Sequence, residues 1–179
     1  MKQPRLYVAY GSNLNRKQMQ HRCPTAKLVG SGVLHDYALQ FKGQAHCAFA
    51  TIAPQKGATT PVAVWEIQKR DEEHLDAYEG YPTHYFKENV SVEMNDGKTV
   101  EGMVYIMNQR MTFGLPSTHY YRTVLEGYRD CRLDPSHLRD ALGKSCAEFY
   151  TERVTKQFTL TSIDDENWDL FSGPTQGSI

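Results

Sequence analysis

The chain has 179 residues, of which 40% are hydrophobic and 23% are charged, a composition typical of one globular domain. Its formal net charge is -1 and its basic residues are scattered, so the sequence does not indicate a protein that binds nucleic acid or an anionic membrane. It has no apolar run of about 20 residues that would predict a membrane helix. Its N-terminus has no apolar signal core either. We therefore expect a cytoplasmic protein.

The first half of the chain predicts mainly strands, with one short helix between them. Asn13 or Asn15 is expected to cap that helix, which covers residues 16–22 and ends before Pro24. The strands are predicted from alternating or β-branched apolar patterns. They cover residues 6–10, residues 28–41 as one strand or two, residues 48–55 and residues 61–67.

A second helix and a hairpin follow. The helix begins near residue 68, carries Asp71, Glu72 and Glu73 in an acidic first turn that we expect to be solvated, and ends at Glu79 because Gly80 follows. The hairpin pairs two alternating segments through the turn sequence NDGK. Its strands are residues 84–94 and 99–108.

The last part of the chain predicts two helices. One begins after Pro116 and runs to residue 130, and the other begins with Asp134 as its N-cap and Pro135 at its first position. Strands first and helices last, with antiparallel hairpins, indicate an α+β fold. A small closed or nearly closed barrel would protect the edges of such a sheet, and the order of elements leaves closure open. We expect one domain over residues 1–160 and a partly disordered tail over residues 161–179.

Neither the cysteines nor the histidines predict a metal site. The four cysteines are irregularly spaced without a C-x-x-C pair, and the seven histidines do not cluster. We expect reduced thiols that pack as small apolar groups, and no zinc site or disulfide framework.

The sequence YVAYGSNLN, which begins at Tyr7, is the first candidate site. Gly11 lets the backbone approach a ligand, and the N–H groups of such a turn can hold an anion, with Ser12 and Asn13 as further donors. A plain turn in which Asn13 caps the next helix explains the same residues. A serine hydrolase is not favoured, because the G-x-S-x-G pattern is absent around Ser12.

Glu79 is the second candidate. It lies at a predicted helix C-terminus with Tyr78, Tyr81 and Tyr85 close in sequence, and both the helix end and desolvation would raise the pKa of its carboxyl group. A carboxylate tuned in this way is a useful general base near neutral pH. An exposed glutamate near a helix end explains the same sequence, and the residues alone favour that simpler interpretation.

Three segments together resemble the γ-glutamylcyclotransferase family, also called AIG2-like: YVAYGSNL, LDAYEG, and PSTHYYRTVLEGYRD. The resemblance extends from about residue 6 to residue 142. It implies a small mixed barrel with flanking helices and an enzyme that cyclises γ-glutamyl amides to 5-oxoproline, without a metal or cofactor. It also implies that Glu79 is the catalytic acid/base. The substrate-binding residues it implies are Tyr7, Val8, Ala9, Tyr10, Gly11, Ser12, Asn13, Tyr85 and Tyr120, with Tyr121 as the alternative to Tyr120.

Several alternatives stay open at this point. The leaving amine is that of a γ-glutamyl amino acid or dipeptide, a γ-glutamyl-amine, or another γ-glutamyl metabolite, and glutathione is one candidate among these. Discrimination between them depends on loops that include residues 43–50 and 108–116. A non-catalytic module that binds γ-glutamyl compounds or 5-oxoproline is the second alternative. The oligomeric state is either monomer or homodimer.

Overall fold

A computed structural model of the chain describes residues 4–108 and 110–165. Five strands close into a barrel in the order β1, β3, β2, β4, β5, and four α-helices lie around it. The strands are β1 Arg5–Ala9, β2 Lys27–Gln44, β3 Cys47–Ile67, β4 Tyr85–Met94 and β5 Thr99–Met107. The helices are α1 Arg16–Arg22, α2 Lys69–Glu79, α3 Thr118–Asp130 and α4 Ser136–Asp165.

The barrel is mixed because one strand pair is parallel. β1 pairs with β3 in antiparallel fashion and with β5 in parallel, and all the other pairs are antiparallel. Val8 in β1 lies opposite Val64 in β3 and Val104 in β5, and all three side chains are fully buried. The predicted α+β barrel with flanking helices is therefore confirmed.

The prediction of two short strands at residues 48–55 and 61–67 is wrong, because both belong to β3. The polar, glycine-containing sequence between them suggests a turn. In the fold, β3 instead pairs with β2 along almost its whole length. The register of this pairing shifts near Asp36. Asp36 has a φ of 61°, and its carboxylate accepts a hydrogen bond from the backbone N–H of Gly57, which has a φ of 80°. The register shift is therefore a β-bulge, and both strands continue through it.

The helix ends follow local chemistry. α2 ends at Glu79 as predicted, and Gly80 takes the left-handed conformation that ends the helix. Asp134 does accept a hydrogen bond from the backbone N–H of Ser136, but α4 begins at Ser136, one residue later than predicted. α4 continues to Asp165, and the rest of the predicted tail, residues 166–179, lies outside the described residues. The domain limits at residue 160 stay a prediction.

The acidic first turn of α2 is only partly solvated, which corrects the prediction. Asp71 is buried and accepts hydrogen bonds from the Gln68 backbone N–H and the Thr25 hydroxyl, so it caps the helix internally. Glu72 is largely covered and pairs with Lys87. Of the three acidic residues, Glu73 alone has the expected exposed position.

The turn between β1 and α1, residues 10–14, is called the Gly11 turn below. It contains a short 3-10 helix, Ser12–Leu14, which packs against α3. Gly127 is the residue of α3 at this crossing, and a Cβ atom there would lie 2.6 Å from both the Leu14 Cβ and the Asn15 backbone nitrogen. The close approach of α3 therefore fixes the position of the turn.

We expect Gly127→Ala to lower the free energy of unfolding by about 1–3 kcal/mol, because the added methyl group pushes α3 away from the Gly11 turn. Gly143→Ala in α4 is the matched control, since no atom lies within 4 Å of its Cβ position. Alanine's higher helix propensity should make that variant more stable by about 1 kcal/mol. Urea unfolding followed by circular dichroism measures both changes, and a Gly127→Ala protein as stable as the wild type would contradict this account.

Candidate active site

One cavity of about 700 Å³ brings most of the predicted site residues together. Its walls come from the Gly11 turn, the C-terminal end of α2, the strand ends that meet at the β2–β3 turn, and the start of α3. The predicted residues that line it are Tyr7, Tyr10, Gly11, Ser12, Asn13, Glu79, Tyr85 and Tyr120. The cavity thus joins parts of the chain that are far apart in sequence.

The two asparagines of the sequence YVAYGSNLN have different structural roles. Asn15 is the helix cap, because its side-chain oxygen accepts a hydrogen bond from the backbone N–H of Gln18 at the start of α1. Asn13 is therefore free to face the cavity. Its side-chain nitrogen donates to the Tyr7 hydroxyl at 2.8 Å and to Glu79 Oε1 at 3.1 Å.

Gly11 is needed for close approach. Its φ is -114°, so it does not use the left-handed region that glycine favours. A Cβ atom on Gly11 would lie 3.2 Å from the Ala50 Cβ and 3.3 Å from the Tyr120 hydroxyl oxygen, which is tighter than ordinary packing. The absence of a side chain lets the turn, β3 and α3 meet at one wall of the cavity.

Burial raises the pKa of Glu79 to about 7, against the opposing effects of the Arg22 cation and the Asn13 hydrogen bond. The direction matches the sequence prediction, but the surroundings differ from it. Tyr85 and Tyr78 line the cavity, whereas Tyr81 is exposed and outside its lining. The desolvation of Glu79 thus comes from the cavity wall as a whole rather than from three neighbouring tyrosines.

Arg22, at the end of α1, is a site residue that the sequence analysis missed. Its guanidinium donates hydrogen bonds to the Ser12 hydroxyl, the Asn13 side-chain oxygen and the Tyr78 hydroxyl, and it lies 3.7 Å from the centre of the Tyr78 ring. Because the Asn13 oxygen faces this cation, the Asn13 nitrogen must face Glu79. No motif in the sequence marks Arg22, since its role depends on the packing of α1 against the end of α2.

A polar cluster anchors α2 to the barrel one turn before Glu79. Lys87 Nζ in β4 lies 2.7 Å from an oxygen of Asp76 and 2.6 Å from one of Glu72. The hydroxyl group of Tyr105 in β5 donates a hydrogen bond to Asp76 Oδ1, the same oxygen that lies 2.7 Å from Lys87 Nζ. These contacts fix the part of α2 that carries Glu79.

Four tyrosines of the cavity keep their protons, because burial raises their pKa values well above the usual range. They are Tyr7, Tyr10, Tyr85 and Tyr120. Tyr10 donates to the backbone oxygen of Tyr105, and Tyr85 donates to that of Ala50. The Tyr120 hydroxyl instead accepts from the Ala50 backbone N–H at 3.1 Å. Within the described residues no acceptor contacts the Tyr120 proton, so it can be donated to a group in the cavity.

Two predicted residues do not reach the cavity. Val8 and Ala9 are fully buried in the barrel, so they support the turn without lining the site. Tyr121 is likewise outside the lining and packs against Phe41, whereas its neighbour Tyr120 lines the cavity.

Residues that were not predicted as catalytic or substrate-binding residues complete the walls. Several of them fall in the segments 43–50 and 108–116. From the sequence, these segments are predicted only as loops on which discrimination between substrates depends. The additional lining residues are Gly43, Gln44, Cys47, Phe49, Ala50, Ala77, Tyr78, Gly80, His84, Tyr105, Met107 and Met111.

The four cysteines are free, with Cys23 and Cys131 buried, Cys47 exposed and Cys146 intermediate. Across residues 4–108 and 110–165, no group of three or more His, Cys, Asp or Glu side chains is placed to hold a metal ion. In that same part of the chain, every helix is too short or too polar to span a bilayer.

Residues 7–127 match the sequence model of the family described as "Gamma-glutamyl cyclotransferase, AIG2-like". The chain belongs to this family. A Homo sapiens protein named gamma-glutamylcyclotransferase is 28% identical over 160 residues, which cover 85% of this chain and 84% of that protein. The Bos taurus protein of the same name is 29% identical over 133 residues, 70% of each chain.

The fold comparison agrees with the family match. A solved structure titled "Gamma-glutamyl cyclotransferase" superimposes with a TM-score of 0.71 at 27% identity, covering 77% of this chain and 86% of that one. The predicted family, the barrel fold and the class of enzyme are therefore confirmed.

The raised pKa of Glu79 predicts that stability depends on pH. Between a glutamate's ordinary value of 4.5 and the folded-state value of about 7, the folded protein binds more protons than the unfolded chain, so stability falls as the pH rises. At about pH 8, Glu79→Gln should therefore be more stable than the wild type by up to about 3 kcal/mol, and at about pH 4 the difference should be small.

Denaturant unfolding at the two pH values measures this change. Glu73→Gln is the control, because Glu73 lies on the exposed side of the same helix, where it pairs with Lys69. A stability difference between Glu79→Gln and the wild type that stays constant with pH would contradict a raised pKa at Glu79.

Proposed function

We propose that the protein cyclises a γ-glutamyl amide to 5-oxoproline and releases the free amine. The observation that carries this proposal is the partly buried Glu79, with a pKa of about 7, hydrogen-bonded to Asn13 of the Gly11 turn inside one cavity. A proton acceptor beside an anion-binding turn is what this reaction requires, because the substrate supplies both the nucleophile and the electrophile.

The reaction needs no co-substrate. The α-amine nitrogen of the γ-glutamyl group attacks its own γ-carbonyl carbon, a five-membered ring closes, and the bond between that carbon and the amide nitrogen breaks. Tethering of this kind can lower a barrier by roughly 7–11 kcal/mol in well-oriented cases. The α-amine is an ammonium at neutral pH, so a base must remove a proton before it can attack.

In the proposed reaction, Glu79 moves that proton. In its ionised form it accepts a proton from the ammonium, and it then donates a proton to the departing amine nitrogen, which returns the carboxylate to its starting state. A pKa near 7 suits both steps, because the group is readily ionised and readily protonated at neutral pH. Asn13 holds the carboxylate towards the Gly11 turn throughout.

Backbone and hydroxyl donors are available for the substrate's oxygens. No lysine or arginine lines the cavity in the described part of the chain, so neither of these side chains binds the substrate's carboxylate from the wall. The backbone N–H groups of Gly11, Ser12 and Asn13 have no acceptor among the described residues, and they suit this role. The Tyr120 proton suits the oxyanion that develops on the γ-carbonyl oxygen.

We expect Glu79→Gln to remove cyclisation activity while the protein stays folded, because glutamine cannot accept the ammonium proton. Release of 5-oxoproline from γ-glutamyl dipeptides, measured by liquid chromatography, tests this, with Glu73→Gln as the matched control. In the wild type, kcat/KM should rise with pH through about 7, as Glu79 ionises.

A Glu79→Gln rate close to that of the wild type would remove Glu79 from the mechanism. A wild-type protein that binds 5-oxoproline but turns over none of the γ-glutamyl compounds would identify a binding module and overturn the proposed reaction.

Tyr120→Phe should lower kcat/KM for cyclisation by about 100-fold, the usual cost of losing one donor to a developing oxyanion. Tyr121→Phe is the matched control, because Tyr121 lies beside Tyr120 in sequence but outside the cavity, and it should keep wild-type kinetics. Equal losses in the two variants would contradict a specific role for Tyr120.

A further inference from the structure

Large apolar side chains are exposed at the mouth of the cavity. Phe49 in β3 is 42% exposed and Met111 is 38% exposed, and both line the cavity. Met107 lies in the same wall but is buried. Exposed apolar groups that surround a cavity commonly mark a surface that a ligand covers. Methionine side chains adapt readily to apolar ligands of different shape.

The backbone holds this part of the wall in place. The chain before α3 crosses the end of the β2–β3 hairpin and forms four backbone hydrogen bonds with it. The Gly43 N–H donates to Thr112 O at 3.0 Å and the Ala48 N–H to Leu115 O at 3.1 Å. In the other direction, the Gly114 N–H donates to Phe41 O at 3.2 Å and the Leu115 N–H to Ala45 O at 2.9 Å. These backbone hydrogen bonds hold the two segments together, so they form one continuous wall of the cavity.

This wall is continuous with the proposed reaction centre. The Phe49 ring packs edge-on against the Tyr120 ring with 5.0 Å between the ring centres. The Tyr120 hydroxyl in turn lies against the Gly11 turn. A γ-glutamyl group held by the turn and by Tyr120 would thus direct its amide substituent towards Phe49.

The charges of the cavity also restrict that substituent. Glu79 is the acidic side chain of the wall, and no lysine or arginine lines it among the described residues. His84 is the one basic side chain of the described lining, and it lies against Gly80, next to Glu79. Lys42 lies opposite Phe49 in the β2–β3 pair, but its Nζ lies over the Phe113 ring, 5.0 Å from the ring centre, and Lys42 is outside the cavity lining. An anionic substituent beside Phe49 therefore has neither lysine nor arginine in the described lining to pair with, and Glu79 repels it.

We propose that Phe49 and Met111 form the subsite for the leaving amine, and that this subsite selects γ-glutamyl compounds whose leaving amine carries an uncharged, apolar side chain. This inference rests on the proposed cyclisation and specifies its substrate class. The bonds made and broken are those of the cyclisation, so no further reactant is needed.

A substrate series tests the subsite by comparing kcat/KM for 5-oxoproline release. γ-Glutamyl-leucine should exceed γ-glutamyl-alanine by about 10-fold, because the added carbons cover apolar surface. γ-Glutamyl-glutamine should exceed γ-glutamyl-glutamate, which has nearly the same shape but carries a charge. Phe49→Ala and Met111→Ala should each lower the leucine-to-alanine ratio several-fold. Val29→Ala is the control, since Val29 is 51% exposed but outside the cavity lining, and its ratio should match that of the wild type.

Met111→Lys provides a gain of function that a folding defect cannot mimic. The introduced cation should raise kcat/KM for γ-glutamyl-glutamate relative to γ-glutamyl-glutamine by about 10-fold. Ratios that stay unchanged in the Phe49 and Met111 variants would overturn the subsite while leaving the proposed reaction intact. A wild-type protein without turnover of any member of the series would overturn the proposed reaction itself.

Discussion

The hydrogen bond from the Asn13 side-chain nitrogen to Glu79 Oε1 joins the two halves of the site. Its partners lie 66 residues apart, one in the turn after β1 and the other at the last residue of α2. The bond forms only because several other constraints hold at once. Asn15 caps α1, and α3 packs closely against the Gly11 turn at Gly127. The contacts of Asp76 with Lys87 and Tyr105 fix α2 on the barrel.

Glu79 is held between two opposing effects. Burial favours the neutral acid, whereas Arg22 and Asn13 favour the carboxylate, and the balance gives a pKa of about 7. Full burial without these partners would keep the group protonated at neutral pH, and full exposure would make it too weak a base. Arg22 therefore affects Glu79 without lining the cavity, because it sets the orientation of Asn13 and lowers the pKa of the Glu79 carboxyl group.

Much of this arrangement could be predicted from the sequence, where local chemistry decides it. The end of α2 at Glu79 follows from Gly80, and the β4–β5 hairpin follows from its alternating pattern. The family motifs marked the cavity residues of the Gly11 turn, but they also marked Val8 and Ala9, which a strand buries in the barrel. The spacing of residues in a motif does not show which face of a strand each residue occupies.

The remaining features depend on contacts between distant segments. The continuity of β3 through Gly57 depends on its pairing with β2, which no local pattern shows. Arg22 resembles any other arginine near the end of a helix until α1 is packed beside α2. The apolar mouth of the cavity is assembled from two segments about 60 residues apart, and no pattern within either segment shows that they meet.

The construction of that mouth has an evolutionary consequence. The barrel owes its stability to buried side chains such as Val8, Val64 and Val104, whereas Phe49 and Met111 are exposed and contribute little to the core. Mutations at these two positions can therefore accumulate without a large loss of folding free energy. A lineage could in this way change the shape and polarity of the cavity mouth while Glu79 and Asn13, on separate elements of the fold, are inherited unchanged.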